Sequence, residues 1–164
     1  MDFETRENTT DQKVIEEVIK RNCYERKKDN FFLKDASVWL DVGGNIGTFT
    51  CKACNSGCSK VITFEPEEDN FNLLTTNVIK NNFQDKVVLI QSGVVAQDNI
   101  EEVELFICKG DYNKYRHTIF KKRGRQSVKI PVQNFKKVIN EWKPNGIKMD
   151  IEGAEIDILD SMKP

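Results

Sequence analysis

The stretch WLDVGGNIGTFT, residues 39–50, places a carboxylate and three glycines at the end of an apolar run. We expect VWLDV (38–42) to form a buried strand and the chain to turn through the glycines into a helix from about Gly47 to Asn55. Glycine-rich turns in this position usually cradle phosphate groups. Asp41 stands directly before the glycines, and its negative charge would repel a phosphate. The loop therefore favours a ligand that is not a phosphate.

The spacing of the glycines also departs from the dinucleotide fingerprint G-x-G-x-x-G. Gly44 and Gly47 match its last two positions, but the first glycine is displaced to Gly43. S-adenosylmethionine has no phosphate and carries an ammonium and a sulfonium group, and an acid beside the loop suits both charges. The loop therefore predicts S-adenosylmethionine as the cofactor.

The second predicted strand, VITFE (61–65), supports this interpretation because it ends on an acid. Glu65 at the carboxyl end of the strand can accept hydrogen bonds from both ribose hydroxyls of an adenosine. Pro66 then turns the chain into the next helix. The alternative is that Glu65 only caps this helix, beside a glycine turn that is purely structural.

The rest of the chain continues the alternation of strands and helices, which is typical of an α/β fold with a doubly wound, mainly parallel sheet. The predicted elements are a helix over 11–28, strands over 38–42, 61–65, 87–91, 103–107 and 128–132, a helix marked by apolar residues from 135 to 142, and a strand over 147–151 followed by a helix.

Length and composition predict one soluble domain. The chain has 164 residues with 25 basic and 26 acidic side chains, so its net charge of −1 gives no reason to expect nucleic acid or an anionic membrane as a partner. No apolar run approaches the roughly 20 residues of a membrane span, and MDFETRENTT has no signal-peptide core. Five cysteines without framework spacing suit a reducing compartment. We therefore expect a soluble, cytoplasmic protein.

Three blocks of the sequence resemble the signature blocks of the FkbM-type S-adenosylmethionine-dependent methyltransferases. They are DVGGNIGTFT (41–50), FEPEEDNF (64–71) and IKMDIEGAEIDIL (147–159), and TTDQKVIEEVI (9–19) is similar to the region that precedes them. The resemblance implies a class I, Rossmann-like methyltransferase fold over residues 1–164. It also implies methylation of a hydroxyl on a sugar, a glycan or a glycosylated small molecule.

The resemblance also implies where the cofactor lies. The methionine end falls to the glycine loop, the ribose to Glu65, and the adenine to the residues after the third strand. The predicted cofactor residues are Asp41, Gly43, Gly44, Asn45, Gly47, Thr48, Glu65, Pro66, Ser92, Gly93 and Asp150. In domain terms, 38–100 is the cofactor half, 103–132 an acceptor-side excursion, and 147–164 the fourth core strand with its helix.

Two acids at the end of the fourth core strand are the predicted catalytic residues. An alcohol is a poor nucleophile, so a base or a metal has to take its proton as the methyl group is transferred. Asp150 and Glu152 lie at the strand end that neighbours Asp41 in this fold. The alternative is that Asp150 only binds the cofactor and Glu152 only caps the helix that follows. His117, the single histidine, lies in the acceptor-side excursion, and its pKa would suit a general base.

Cys51, Cys54 and Cys58 form C-x2-C-x3-C, which invites a metal-site interpretation. The first two lie on one face of the predicted helix, and no fourth ligand is evident nearby. We expect these cysteines to pack as small apolar residues, and we expect no metal.

Two other functions stay open at this point. KKRGR (121–125) could contact RNA phosphates, although the near-zero net charge argues against a nucleic-acid methyltransferase. The second is a degenerate domain that binds the nucleoside without turnover, and the intact acids Asp41, Glu65 and Asp150 argue against it. The usual fold continues beyond Pro164 with further strands, so we expect an open sheet edge that a homodimer, another partner or the excursion covers.

Overall fold

The computed structural model describes residues 1–107, 117–119, 126–151 and 153–163. Its main sheet has four parallel strands in the order β3-β2-β1-β7. The strands are β1 (Val38–Val42), β2 (Lys60–Phe64), β3 (Val87–Ile90) and β7 (Gly146–Met149). The prediction of a parallel α/β sheet is confirmed, including the pairing of β1 with the last core strand.

Helices cover both faces of this sheet, as a doubly wound fold requires. They are α2 (Thr48–Asn55), α3 (Glu68–Lys80), α4 (Phe135–Trp142) and α5 (Glu155–Ser161). Alternate residues of the strands feed two separate apolar cores. Trp39 and Val61 pack with Phe49 of α2, whereas Leu40 and Ile62 pack with residues of α4 and α5.

A second sheet of three strands lies beyond β3. It has the order β4-β6-β5 and consists of β4 (Gly93–Val95), β5 (Glu102–Ile107) and β6 (Gln126–Asn134). β6 runs parallel to β4 and antiparallel to β5. β5 and β6 match the predicted strands of the excursion, while β4 has no counterpart in the prediction.

The predicted helix over 11–28 is wrong in its second half. α1 (Asp11–Ile15) continues as one π-helical turn (Glu16–Lys20) and then stops. In an α-helix the Val18 carbonyl would accept the Asn22 N–H. Here it accepts from Nζ of Lys52, which is buried on α2 and also donates to Asn22 Oδ1. This tertiary contact replaces the next helical turn, and Asn22 adopts a positive φ of 53°.

The first residues of the chain are fixed to α3. Asn77 accepts the Glu4 N–H at 2.6 Å and donates from Nδ2 to the carbonyls of Glu4 and Ile46. One turn later, Asn81 exchanges the same pair of bonds with Asp2. The first residues of the chain are therefore held against α3 before α1 begins.

β7 forms an edge of the main sheet, and apolar side chains beside it are exposed. Ile147 of β7 is 46% exposed, and Ile156 and Leu159 of α5 are 66% and 61% exposed. The homodimer expected at this edge stays a prediction. Among the described residues, no helix combines the length and apolar character needed to span a bilayer.

Candidate functional site

A cleft opens where β1, β2 and β7 end, the position in which open parallel sheets bind ligands. It contains about 990 Å³ of empty space, counted out to its open mouth. Its polar and loop lining comes from the glycine loop, the end of β2, the start of α3 and the end of β7. These residues are Gly43, Gly44, Asn45, Thr48, Glu65, Pro66, Asn70, Lys148 and Asp150.

The glycines of the loop are required by the close approach of neighbouring strand ends. A Cβ on Gly43 would lie 2.2 Å from the Asp150 carbonyl oxygen, and one on Gly44 would lie 2.3 Å from Thr63. Gly43 also has a φ of +86°, which disfavours other residues. Both glycine amides donate to the Phe64 carbonyl at 2.9 Å, so the loop is bound to the end of β2.

Gly47 serves the helix rather than the ligand. It has a φ of +86° at the N-cap of α2, and a Cβ there would lie 2.7 Å from Leu74 of α3. Gly47 is absent from the residues that line the cleft. Its predicted role at the cofactor is therefore indirect, since it lets α2 begin close against α3.

Asp41 does not face the cleft, which corrects the expectation that its charge meets the cofactor. Its side chain is fully buried and absent from the lining. Oδ2 accepts the Thr50 hydroxyl at 2.7 Å, and Oδ1 lies 3.1 Å from Nζ of Lys148, an ion pair rather than a well-aligned hydrogen bond. Lys148 therefore neutralises the charge that the sequence analysis assigned to the ligand.

The Asp41–Lys148 pair is a buried ion pair between adjacent strands. Burial raises the pKa of Asp41, and Lys148 opposes this shift. Burial lowers the pKa of Lys148, but the acidic groups of Asp41, Tyr24 and Asp150 together outweigh burial and hold that pKa above its ordinary value. Lys148 also donates to the Gly43 carbonyl, so the pair fixes the glycine loop to β7.

Glu65 follows the last residue of β2 and lines the cleft while being only 5% exposed. Its Oε2 accepts the Asn45 N–H at 2.7 Å, and its Oε1 accepts the Glu67 N–H at 3.0 Å. Each carboxylate oxygen has two acceptor positions, so Oε2 keeps one beyond its bond to the loop. This leaves Glu65 able to accept a hydroxyl of a ligand.

Burial raises the pKa of Glu65 to about 7, although the N–H donors around it stabilise the carboxylate and lower the pKa. No described cation lies within ion-pair distance of the carboxylate, and its contacts are the N–H donors of Asn45, Glu67 and Asn70. Groups with strongly shifted pKa values cluster at functional sites. The alternative that Glu65 caps α3 is not what the structure shows, because the side chain that caps this helix is Glu67, which accepts the Asn70 N–H.

Two buried oxygens of the cleft have no hydrogen-bond partner among the described residues: Thr48 Oγ1 and Asn70 Oδ1. Thr48 is in the predicted cofactor set and is 2% exposed at the start of α2. Asn70 was missed by the sequence analysis, although it stands in the block FEPEEDNF. Buried polar atoms are normally paired, so both oxygens are candidates for ligand contacts.

The residues predicted near the adenine also line the cleft. Ser92 is 3% exposed, and its hydroxyl lies 3.0 Å from the carbonyls of Gly93 and Pro131. Gly93 begins β4 and packs against Ile130 and Val132, which leave room for no larger side chain without a shift. Their contact with an adenine stays a prediction.

Of the three predicted catalytic residues, the structure brings two together in the cleft. Asp150 follows β7, and its side chain is exposed, with no hydrogen bond or ion pair to another described residue. His117 lines the same cleft beside Thr118, which pairs with Phe106 of β5. Glu152 lies outside the described residues. Glu155, which the sequence analysis did not single out, accepts the N–H groups of Ile151 and Gly153 and fixes the turn after Asp150.

The N-terminal segment supplies a wall of the cleft that sequence reasoning also missed. Val14, Val18 and Tyr24 line it. The Tyr24 ring packs edge-on against Phe49 of α2, with 5.0 Å between ring centroids. Burial raises the pKa of Tyr24 to about 12, so the phenol stays neutral. The only signal in the sequence was helical spacing, which does not say what the helix covers.

The three clustered cysteines pack in the apolar cores, as predicted. Cys54 and Cys58 lie in the cluster around Trp39, and Cys51 packs with Leu74. Within the described ranges, no three His, Cys, Asp or Glu side chains are grouped to hold a metal ion. The absence of a bound metal stays a prediction.

A family model described as "Methyltransferase FkbM domain" matches residues 41–163, three quarters of the chain. The chain belongs to this family. The family's methyl donor is S-adenosylmethionine, and the cleft fits it. Thr48 and Asn70 present buried oxygens without a described partner, and Glu65 keeps a spare acceptor position, whereas the ligand is rich in hydroxyl and amino donors. The expected donor and the expected kind of enzyme are thereby confirmed.

Individual relatives are more distant. The chain is 23% identical to "Methyltransferase sdnD" of Sordaria araneosa over 90% of its own length and 67% of that protein. It is 20% identical to the crystal structure of methyltransferase FkbM from Methylobacillus flagellatus KT, with a TM-score of 0.49 over 77% of this chain and 29% of that one. A structure described as "StiE O-MT residues 961-1257" is 14% identical, with a TM-score of 0.38 over 56% of this chain and 30% of that one.

Proposed function

We propose that this domain transfers the methyl group of S-adenosylmethionine to a hydroxyl group on a sugar, a glycan or a glycosylated small molecule. Asp150 is the residue that takes the acceptor proton. The observation that carries the proposal is the free carboxylate of Asp150 in the lining of the cleft, directly after β7, the strand that pairs with β1.

The environment of Asp150 differs from that of the other acids at this sheet edge. Asp41 forms an ion pair with Lys148 and a hydrogen bond with Thr50, and Glu65 accepts from three N–H donors. Asp150 alone of the three is exposed, so its carboxylate can approach an acceptor without breaking a contact. A carboxylate that is free to accept a proton is what an alcohol acceptor needs.

S-adenosylmethionine, when bound, supplies an electrophilic methyl carbon on its sulfonium. The chain's own residues then have to align the acceptor oxygen and remove its proton. Asp150 accepts the proton, and Glu152 is proposed to assist at the same strand end. His117 also lines the cleft and is proposed to orient the acceptor hydroxyl.

The far wall of the cleft is apolar. Leu105 and Ile130 of the second sheet line it together with Ile119. An apolar wall with a few polar groups is usual for a small-molecule site. Such a wall packs against the C–H faces of a ring. This wall supports an acceptor of small-molecule or sugar size rather than a long charged polymer.

The test is transfer of a tritiated methyl group from S-adenosylmethionine to a panel of glycans, glycosylated small molecules, simple alcohols and RNA. We expect label in a sugar-bearing acceptor. Asp150→Asn should then lose about 10²- to 10⁴-fold in turnover, the usual contribution of a general base, while its affinity for S-adenosylhomocysteine changes little.

Asp157→Asn is the matched control, since Asp157 is an exposed carboxylate on α5 and outside the cleft lining. Its turnover should equal that of the unaltered protein. Label only in RNA would contradict the acceptor class, and S-adenosylhomocysteine binding without transfer to any acceptor would indicate a degenerate binding domain. Full turnover of Asp150→Asn would contradict the role of this carboxylate, and a pH–rate limb near 6.5 would then point to His117.

A further inference from the structure

A buried carboxamide beside Glu65 has an oxygen without a partner. Asn70 lies in the first turn of α3 and is 2% exposed. Its Nδ2 donates to Glu65 Oε1 at 3.4 Å, whereas its Oδ1 makes no hydrogen bond with any described residue. Asn70 is also one of the residues that line the cleft.

The neighbour of Asn70 decides which amide atom is left over. The carboxylate of Glu65 already accepts the N–H groups of Asn45 and Glu67, so it acts as an acceptor at this site. The oxygen that faces Asn70, Glu65 Oε1, already accepts the Glu67 N–H, and Asn70 therefore presents its NH₂ group to it. The oxygen is then the amide atom without a protein partner, and it needs a donor.

An unpaired buried acceptor destabilises the protein unless a ligand supplies the donor. Asn70 lines the cleft. Glu65 is already proposed to accept a ribose hydroxyl, and the two side chains are in hydrogen-bond contact. Together they place two acceptors side by side, which matches the two neighbouring O–H donors of a ribose diol.

We propose that Asn70 binds the ribose of the cofactor directly: its Oδ1 accepts one ribose hydroxyl while Glu65 accepts the other. The inference rests on the assignment of the cleft to an S-adenosyl ligand and not on the identity of the methyl acceptor. Glu65, which follows β2, and Asn70, in the first turn of α3, would then each bind one hydroxyl of the ribose.

Calorimetric titration with S-adenosylhomocysteine tests this contact. Asn70→Ala should weaken binding by about 3- to 12-fold, the range for one neutral hydrogen bond. Asn72→Ala is the matched control, because Asn72 is exposed on the same helix and outside the cleft lining, and its affinity should not change.

The alternative is that Asn70 only holds Glu65 in position. The double variant Glu65→Ala/Asn70→Ala separates the two cases. A direct contact predicts that the double variant binds about 3- to 12-fold more weakly than Glu65→Ala alone. Equal affinities of the double variant and Glu65→Ala would overturn the proposal, because a positioning residue has nothing left to position.

Stability of the ligand-free protein gives an independent readout. Asn70→Ala removes an unpaired buried oxygen together with the long 3.4 Å bond to Glu65, so the midpoint of thermal unfolding should change little. A lower midpoint together with unchanged affinity would overturn the proposal in favour of a structural role. No binding of S-adenosylhomocysteine to the unaltered protein would overturn the cofactor assignment itself, which is a distinct result.

Analogues of S-adenosylhomocysteine that lack the 2′- or the 3′-hydroxyl identify the donor. In the unaltered protein both analogues should bind more weakly than the parent compound. In Asn70→Ala, one of the two deletions should cost nothing further. Equal losses for both analogues in the variant and the unaltered protein would show that Asn70 does not contact the ribose.

Discussion

The ends of β1 and β2 each carry a buried carboxylate, and the two carboxylates have opposite surroundings. Asp41 faces a lysine and a threonine and has no contact with the cleft. Glu65 faces N–H donors and lines the cleft. The carboxylate of Asp41 is paired within the fold, and the carboxylate of Glu65 remains available to a ligand.

The difference follows from strand register. Asp41 lies inside β1, paired with Thr63, and shares a face of the sheet with Trp39, so its side chain points under α2. Glu65 comes after the last residue of β2, where the cleft opens. A carboxylate within the strand becomes part of the core, and one just beyond the strand becomes part of the site.

The largest expected effect comes from breaking the ion pair at the end of β1. Lys148→Met should lower the free energy of unfolding by about 3–5 kcal/mol, since it leaves the Asp41 carboxylate buried without a counter-ion. Denaturant unfolding measures this change. The double variant Asp41→Asn/Lys148→Met should recover most of the loss, because no charge is left unpaired.

Lys129→Met is the control for that experiment. Lys129 lies 3.7 Å from Glu102, and both side chains are largely exposed. Exposed pairs contribute little, so its effect should stay under about 1 kcal/mol. Equal effects of Lys148→Met and Lys129→Met would contradict the description of the first pair as structural.

The next effect concerns the end of β2 and depends on pH. The pKa of Glu65 is raised by burial from an ordinary 4.5 to about 7, so the folded protein binds this proton more tightly than the unfolded chain. The associated stability is fully present below pH 4.5 and is lost as the pH rises through 7. At 1.36 kcal/mol per pKa unit, the loss is about 3 kcal/mol.

Unfolding free energies of the unaltered protein and Glu65→Gln at pH 5 and pH 8 measure this loss. The unaltered protein should become less stable relative to the variant as the pH rises, while other titrating groups cancel in the difference. A difference between the two proteins that is the same at both pH values would show that Glu65 titrates normally.

The smallest effect tests the hydrogen bond that completes the Asp41 site. Thr50→Val removes the donor to Asp41 Oδ2 and should cost about 1.5–3 kcal/mol, the range for a bond to a charged group. Thr63→Val removes only the 3.0 Å contact between the Thr50 and Thr63 hydroxyls and should cost about 1 kcal/mol. A larger loss in Thr63→Val than in Thr50→Val would contradict this order.

The sheet was predictable from the sequence because its strands are apolar runs buried on both faces, such as those around Leu40 and Ile62. The glycine turn and Glu65 followed from their places after those strands. The direction of Asp41 was also within reach, since alternation puts it on the same face as Trp39. Lys148 was a signal as well, because a lysine inside an apolar strand requires a buried partner.

Other features depend on contacts that no local pattern contains. Where the helix that starts at Asp11 ends, the Val18 carbonyl accepts from Lys52, which lies on a helix distant in sequence. β4 has three residues and forms only by pairing with β6. The cover that Val14, Val18 and Tyr24 give the cleft is likewise a tertiary arrangement.

The most direct test of the contrast between the two strand ends is the affinity of two variants for S-adenosylhomocysteine, with folding checked by circular dichroism. Glu65→Ala should bind about 10- to 150-fold more weakly than the unaltered protein, because it loses hydrogen bonds to a charged group. The affinity of Asp41→Asn should stay within about 3-fold of the unaltered protein, since the buried, paired side chain of Asp41 does not line the cleft and makes no hydrogen bond to the ligand. A large loss for folded Asp41→Asn with unchanged affinity for Glu65→Ala would contradict the account.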